Sequence, residues 1–268
     1  VERDPLGVVL YGDVRNFSVA DKQLILTALK NEAQRYPWFR SEDWSASPFG
    51  ALGTKDMEQI FRDVLTSSSR EEGDQSLLGC VLDALRHGDR LSALASPLEA
   101  IVRDNSYWPR VRANAIQALV HIQEEEHSML LKLAEDIRAG IIEDNDDELL
   151  GDLLSHLYPR SIKPERIFDF LHPAKDERLI GRYSMFWSYQ LSDAARDDLP
   201  LLLDKLVQAR PDVRNMLKDY QSNRMAGRLL ARGLEEHGDT ISNECLYDWL
   251  SVGLDEYDHQ RLDREYTE

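Results

Sequence analysis

Residues 107–122 read YWPRVRANAIQALVHI, and this stretch decides the predicted fold. Pro109 stands at its start, where the fixed φ of proline suits the first helical turn and the missing N–H costs nothing. The apolar residues that follow recur at steps of three and four, which places them on one face of a helix: Val111, Ala115, Ala118, Leu119 and Ile122. The sequence therefore predicts an amphipathic helix from Pro109 to Ile122. A neighbouring helix can approach its apolar face closely at Ala115 and Ala118.

Similar amphipathic segments occur in pairs along the chain. The predicted pairs are 55–65 with 73–86, 90–103 with 109–122, and two segments within 129–157. Ala84-Leu85 and Ala118-Leu119 occupy the same place in successive second helices, about one HEAT-like period apart. Because an isolated helix pair cannot bury its apolar face, consecutive pairs stack and share a core. We therefore expect an all-α protein built as a right-handed α-α superhelix, a HEAT- or armadillo-like solenoid.

The two ends of the chain are less regular. Residues 1–17 read as a turn-like lead-in, after which Ser18 is the expected N-cap of a helix from Val19 to Tyr36. We expect a HEAT-like repeat region over 1–158 and a C-terminal helical region over 159–268 that continues it. In that second region, helices are predicted at 164–171, 179–191, 199–207, 216–220, 225–234 and 243–253. Since the chain begins with Val1 and enters patterned sequence at once, we expect an excerpt of a longer protein.

Composition restricts the class of partner. The formal net charge of −17 repels phosphate backbones and anionic membranes, so neither nucleic acid nor a membrane is an expected partner of this segment. No apolar run is long enough to span a bilayer, and no secretory signal is present. Cys80 and Cys245 lie in apolar helical patterns and are expected to be buried free thiols. A cytoplasmic location follows as the expectation.

Four aromatic residues fall in the connection after the first long helix, and two interpretations remain open for them. They either plug the end of the helical stack, which is the preferred interpretation, or form a binding surface: Trp38, Phe39, Trp44 and Phe49.

No residue set predicts catalysis, a cofactor or a metal ion. The acidic run 143–148 lacks the glycine and the bidentate glutamate of an EF-hand loop, so we expect a solvated loop that supplies N-terminal acid to the next helix. The seven histidines are scattered singly, without zinc spacing and without the His-Glu dipeptides of deoxyhypusine hydroxylase. The acidic charge also fits poorly with the helical DNA glycosylases that use HEAT-like repeats.

A basic and aromatic group at the start of the organising helix is the candidate contact site. It consists of Tyr107, Trp108, Arg110 and Arg112. The preferred interpretation is structural, with arginines that bond to acids of the neighbouring repeat. The alternative is an anion- or peptide-binding site on the edge of the solenoid.

Three patterns together resemble the helical region that follows the ATPase module of bacterial NACHT- or STAND-type P-loop proteins. They are Asp4-Pro5-Leu6 leading to Gly12-Asp13, the HEAT-like middle, and the stretch from Tyr183-Ser184-Met185-Phe186-Trp187 to the leucine run at 199–203. The likeness covers the chain up to about Val207. No ATPase residue carries over, because the chain has no Gly-x-x-x-x-Gly-Lys-Ser/Thr motif.

The resemblance implies a non-catalytic sensor or scaffold domain of a larger bacterial nucleotide-dependent protein. Its partner is then another protein or its own upstream ATPase module. The alternative is a stand-alone HEAT-repeat enzyme or lyase with its site in the concave groove.

Overall fold

The computed structural model describes residues 3–41, 45–123, 127–176, 179–209 and 220–253. These residues form helices and connections, and no β-strand occurs among them, which confirms the predicted all-α class. The α-helices among these residues are α1 (Pro5–Tyr11), α2 (Val19–Arg35), α3 (Glu58–Ser67), α4 (Glu72–His87), α5 (Ala95–Arg103), α6 (Pro109–Ile122), α7 (Ser128–Arg138), α8 (Glu148–Leu157), α9 (Arg182–Met185), α10 (Leu199–Val207), α11 (Tyr220–His237) and α12 (Asn243–Gly253).

Helix starts follow the expected local chemistry. Helix α6 begins at Pro109 and ends at Ile122, as predicted. Ser18 caps α2, because its hydroxyl accepts the backbone N–H of Asp21. The lead-in contains a helix that the sequence analysis missed. Asp4 caps α1 by accepting the N–H of Gly7 at 2.7 Å, and Pro5 occupies the first turn.

The described backbone divides into two compact units. The first contains the described residues within Val1–Leu133 and Gly140–Glu143, and the second contains those within Ala134–Ala139 and Asp144–Glu268. None of the described helices combines the length and the apolar character that a bilayer crossing requires.

In the first unit, α4 is the central helix. It packs against α2 and α6, while α5 packs against α6 and α3 contacts both α4 and α5. The side of α4 that faces these helices is apolar and buried: Leu77, Leu78, Val81, Leu82 and Leu85. Arg86 contacts Asn114, and Gln75 contacts Trp108 at the beginning of α6, so α4 and α6 run in the same direction.

In the second unit, α8 packs closely against α9. Gly151 faces the backbone of Arg182 and Tyr183, where an added Cβ would overlap main-chain atoms. A π-helical segment from Phe186 to Leu191 continues α9. Helices α10, α11 and α12 pack together around buried Trp249, whose Nε1 donates to Asp204 at 2.7 Å. The predicted helix at 216–220 lies outside the described residues, apart from Tyr220 at the start of α11.

Candidate functional site

A cleft of about 510 Å³ lies in the first unit, between α4, α6 and the connection that follows α2. This volume is within the range of small-molecule ligand pockets. The described residues that line the cleft come from three places: residues 37–41 of the connection, one face of α4, and the start of α6 together with Trp108 before it.

The floor of the cleft is one face of α4. Glu72, Ser76, Gly79 and Asp83 recur at steps of four, three and four, so they lie along one side of the helix. At Gly79 an added Cβ would meet no heavy atom within 4 Å. The glycine therefore leaves open space in the middle of the cleft.

Two tryptophans form the aromatic wall. The indole rings of Trp38 and Trp108 are stacked, with centroids 5.9 Å apart and planes at 10°. Trp108 is fixed by its backbone N–H, which donates to Oε1 of buried Gln75 at 2.7 Å. The amide of Gln75 in turn donates to the carbonyl of Arg70 at 2.9 Å. Trp38 is 53% exposed, which is unusual for a residue of this size.

A charged cluster lies at the other end of the cleft. Arg40 donates from Nη1 to Asp83 at 2.7 Å, and Arg86 lies 3.3 Å from the second oxygen of the same carboxylate. The Arg40 guanidinium also lies over the ring of Phe49, 4.3 Å from its centroid, and donates to the carbonyl of Ser45. These contacts hold Arg40 in a fixed position, with only 11% of its side chain exposed.

Arg110 adds a third guanidinium to this end of the cleft. Burial lowers the pKa of Arg110; the charge of Asp83 opposes this, and the charges of Arg40 and Arg86 lower it further. Cys80, on the neighbouring turn of α4, is fully buried, and burial raises the pKa of its thiol to about 11. The thiol is therefore protonated and unreactive at neutral pH.

The structure separates the four residues of the predicted contact group. Trp108 and Arg110 line the cleft. Tyr107 is buried beneath the guanidinium of Arg70, 3.6 Å from its ring centroid. Arg112 is also buried and donates from Nε to the carbonyl of Val102 at 2.9 Å, which is a structural role.

The aromatic connection also divides. Phe49 is fully buried, whereas Trp38 and Phe39 line the cleft. Trp44 lies outside the described residues. Arg40, Gln75, Gly79 and Asp83 line the cleft but were not predicted as contact residues. For Gln75 and Asp83 the available signal was a polar residue within an otherwise apolar helical pattern.

The acidic run of the second unit is less solvated than expected. Asp144 is 3% exposed, and its carboxylate accepts the backbone N–H groups of Leu149 and Leu150. This caps α8 and confirms that the run supplies acid to that helix. Asp147 is 1% exposed and lies 3.0 Å from the ammonium of Lys175. Asp144 therefore joins the loop to the first turn of α8, and Asp147 joins it to Lys175.

Two further observations concern ligating side chains. Cys245 is half-buried, so the prediction of a buried thiol is right for Cys80 and wrong for Cys245. Over the part of the chain that the structure describes, no three His, Cys, Asp or Glu side chains are grouped to hold a metal ion.

Comparison with protein-family models, with curated proteins and with solved structures gives no match in any of the three.

Proposed function

We propose that the chain is a non-catalytic protein-binding domain that accepts a segment of its partner in the cleft between α4 and α6. The observation that carries this proposal is the stacked pair of Trp38 and Trp108 beside open space at Gly79. Large aromatic side chains in a concave, partly apolar site are typical anchors of protein recognition.

The chemistry of the cleft supports binding in preference to turnover. At the inner end of the cleft, the carboxylate of Asp83 is paired with the guanidiniums of Arg40 and Arg86. The nearest thiol, Cys80, is buried and protonated. A general base or nucleophile needs a free lone pair directed at substrate, and neither group offers one in this arrangement.

The arrangement of helices supports the HEAT-like superhelix as the architecture. The second helices of two successive pairs, α4 and α6, run in the same direction and pack side by side. Such stacking places the exposed faces of second helices on one concave surface. The cleft is formed by those faces and a connecting loop, as expected of a recognition surface in a solenoid.

We extend the proposal to the cellular context that the sequence resemblance implies. The domain then acts in the bacterial cytoplasm as the sensor arm of a NACHT- or STAND-type protein, and contact with its partner controls a nucleotide-dependent switch. This extension depends on the three sequence patterns alone.

Site-specific photo-crosslinking tests the binding function. The photoreactive residue p-benzoylphenylalanine replaces exposed Glu72 at the rim of the cleft, or exposed Gln23 on α2 as the matched control. In cells that carry the parent gene, we expect a protein adduct from position 72 and none from position 23.

The adduct must also depend on the aromatic wall. We expect it to disappear when Trp38 and Trp108 are both replaced by alanine, while the circular dichroism spectrum keeps its helical shape. Equal adducts from both positions, or an adduct that survives loss of both indoles, would rule out the cleft as the binding site.

A further inference from the structure

We infer that the partner segment in the cleft carries a basic residue, about three residues away from a large apolar residue. The basic side chain binds at the start of α4, which is the outer end of the cleft, and the apolar side chain lies over Gly79. This inference depends on the proposed binding function and names the chemical class of its ligand. Three features support it: the charge of the outer end, the open space at Gly79 and the paired carboxylate at the inner end.

The outer end of the cleft continues into an acidic depression of about 470 Å³. The cleft and the depression share Pro37 and Glu72, and the depression is also lined by Glu71 and Asp74. Glu71 and Glu72 are exposed, and among the described residues none of the three carboxylates takes part in an ion pair. A basic side chain is the complementary group, and the formal net charge of −17 adds long-range attraction for it.

The aromatic wall lies next to this acidic end. Pro37, which lines both the cleft and the depression, immediately precedes Trp38. The backbone N–H of Trp108 donates to Gln75, one helical turn beyond Glu71. A lysine or arginine that reaches the depression from the cleft therefore passes the exposed indole of Trp38. The ring attracts a cation and covers its aliphatic stem, so it favours the same side chain as the carboxylates.

Gly79 provides the place for the apolar side chain. A Cβ at this position would meet no heavy atom within 4 Å, so packing within the protein does not require a glycine here. Its missing side chain opens the middle of the cleft beside the indoles to a large apolar group. Glu72 and Gly79 are seven residues apart in α4. This separation is about 10 Å along a helix, which an extended peptide spans in about three residues.

The inner end of the cleft does not attract a basic residue. Its carboxylate, Asp83, is 5% exposed and lies 2.7 Å from Arg40 and 3.3 Å from Arg86. Arg40 and Arg110 also line this end. A basic side chain placed here would meet cations, and the one carboxylate among the described lining residues there is already paired. The polarity of the cleft therefore fixes the register, with the basic residue at the start of α4.

Phage display of a random dodecapeptide library tests the inference. The library is selected on the immobilised protein, and phage that also bind the Gly79→Phe variant are removed, so that the remaining peptides bind in the cleft. We expect lysine or arginine to be enriched three or four residues from Phe, Trp or Leu, in either chain direction. An enriched set without a basic residue at this spacing would overturn the inference.

Fluorescence anisotropy then tests whether the basic residue binds at the acidic end. The probe is the most enriched peptide, labelled with fluorescein, and its counterpart carries norleucine in place of the basic residue. Because exposed ion pairs are individually weak, we expect the replacement to weaken binding to the wild type about fivefold. The Glu71→Gln/Glu72→Gln variant should bind the two probes equally. A replacement effect of the same size in both proteins would overturn the inference.

The matched control is the variant Glu165→Gln/Glu244→Gln. It removes the same charge from two exposed residues in the first turns of helical segments of the second unit. We expect it to distinguish the two probes as the wild type does. An equal loss of discrimination in this control would show that the net charge of the chain, and not the acidic end of the cleft, selects the basic residue.

The outcomes separate this inference from the proposed function. If peptides are enriched and excluded by Gly79→Phe but show no preference for a basic residue, the cleft binds another class of peptide and only the inference fails. If no peptide is enriched, the inference fails, and the crosslinking result decides the proposed function separately. The crosslinking variant at position 72 keeps Glu71 and Asp74, so that test does not require all three carboxylates.

Discussion

Trp38 and Trp108 stack with their ring centroids 5.9 Å apart, although Trp38 follows α2 and Trp108 immediately precedes α6. The stack joins the connection after α2 to the start of the second repeat pair. Since the aromatic wall of the cleft consists of these two rings, the shape of the site depends on a contact between distant parts of the sequence.

We predict that the two indoles are energetically coupled. A double-mutant cycle with Trp38→Ala, Trp108→Ala and the double variant should give a coupling free energy of about 0.5–1.5 kcal/mol, which is typical of an aromatic pair. Urea unfolding followed by circular dichroism measures the coupling. Strictly additive effects would mean that the rings do not stack in solution.

Two glycine substitutions should have opposite effects on stability. Gly151→Ala places a Cβ onto the backbone of Arg182 and Tyr183, and should lower the unfolding free energy by about 2–3 kcal/mol or more. Gly79→Ala adds a methyl group in open space on a helix and should raise the unfolding free energy by about 0.5–1 kcal/mol. Thermal melts of both variants check this. A similar change at both positions would contradict the close packing of α8 on α9.

Stability should depend on pH through Asp144. Burial raises the pKa of Asp144 to about 6; two backbone N–H bonds oppose this, and the charge of Asp147 adds to it. The folded state therefore binds more protons than the unfolded state between about pH 4 and pH 6. The unfolding free energy falls as pH rises through this window, by up to about 3 kcal/mol from this group.

The variant Asp144→Asn isolates that dependence, because asparagine does not titrate and keeps one oxygen for capping α8. Denaturant unfolding of both proteins from pH 4 to pH 7 is the measurement. We expect the wild type to lose stability relative to the variant as pH rises. Parallel profiles would show that Asp144 titrates like an exposed aspartate.

The two thiols should differ in reactivity. Cys80 is buried with its pKa raised to about 11, whereas Cys245 is half-buried in α12, where burial and the neighbouring carboxylates of Asp204 and Asp248 also raise the pKa of its thiol. Treatment of the native protein with a thiol-specific chromogenic reagent at pH 8 should label Cys245 faster than Cys80, because Cys245 is partly exposed, and Cys245→Ser should remove the fast phase. Fast labelling that persists in the variant would contradict the burial of Cys80.

The sequence was sufficient where the structure depends on local patterns. Helix α6 was predicted with both ends correct, since its proline and its apolar spacing act within one segment. The Ser18 cap and the helix from Leu199 to Val207 were predicted for the same reason. The helix expected at 179–191 begins later, at Arg182, and becomes π-helical at Phe186. There, packing of large buried aromatic residues outweighs the ordinary helical repeat.

The candidate site was only partly predictable. Trp108 and Arg110, at the start of the predicted helix 109–122, were named as contacts. The role of Trp38 could not be derived, because an exposed loop tryptophan and a buried plug have the same local sequence signal. Arg40 and Asp83 are joined only after α2 and α4 have packed, so neither segment alone indicates the ion pair.

The most direct test of the central claim is to fill the cleft without disturbing the fold. Gly79→Phe places a Cβ that meets no heavy atom within 4 Å and directs its ring into the cleft of about 510 Å³, so the melting temperature should change little. The measurement is the yield of the photo-crosslinked adduct from position 72 in this variant, with Gly79→Ala as the control. If the cleft is the binding site, the adduct is lost in Gly79→Phe and retained in Gly79→Ala. An adduct of undiminished yield in a folded Gly79→Phe protein would rule out the cleft as the binding site.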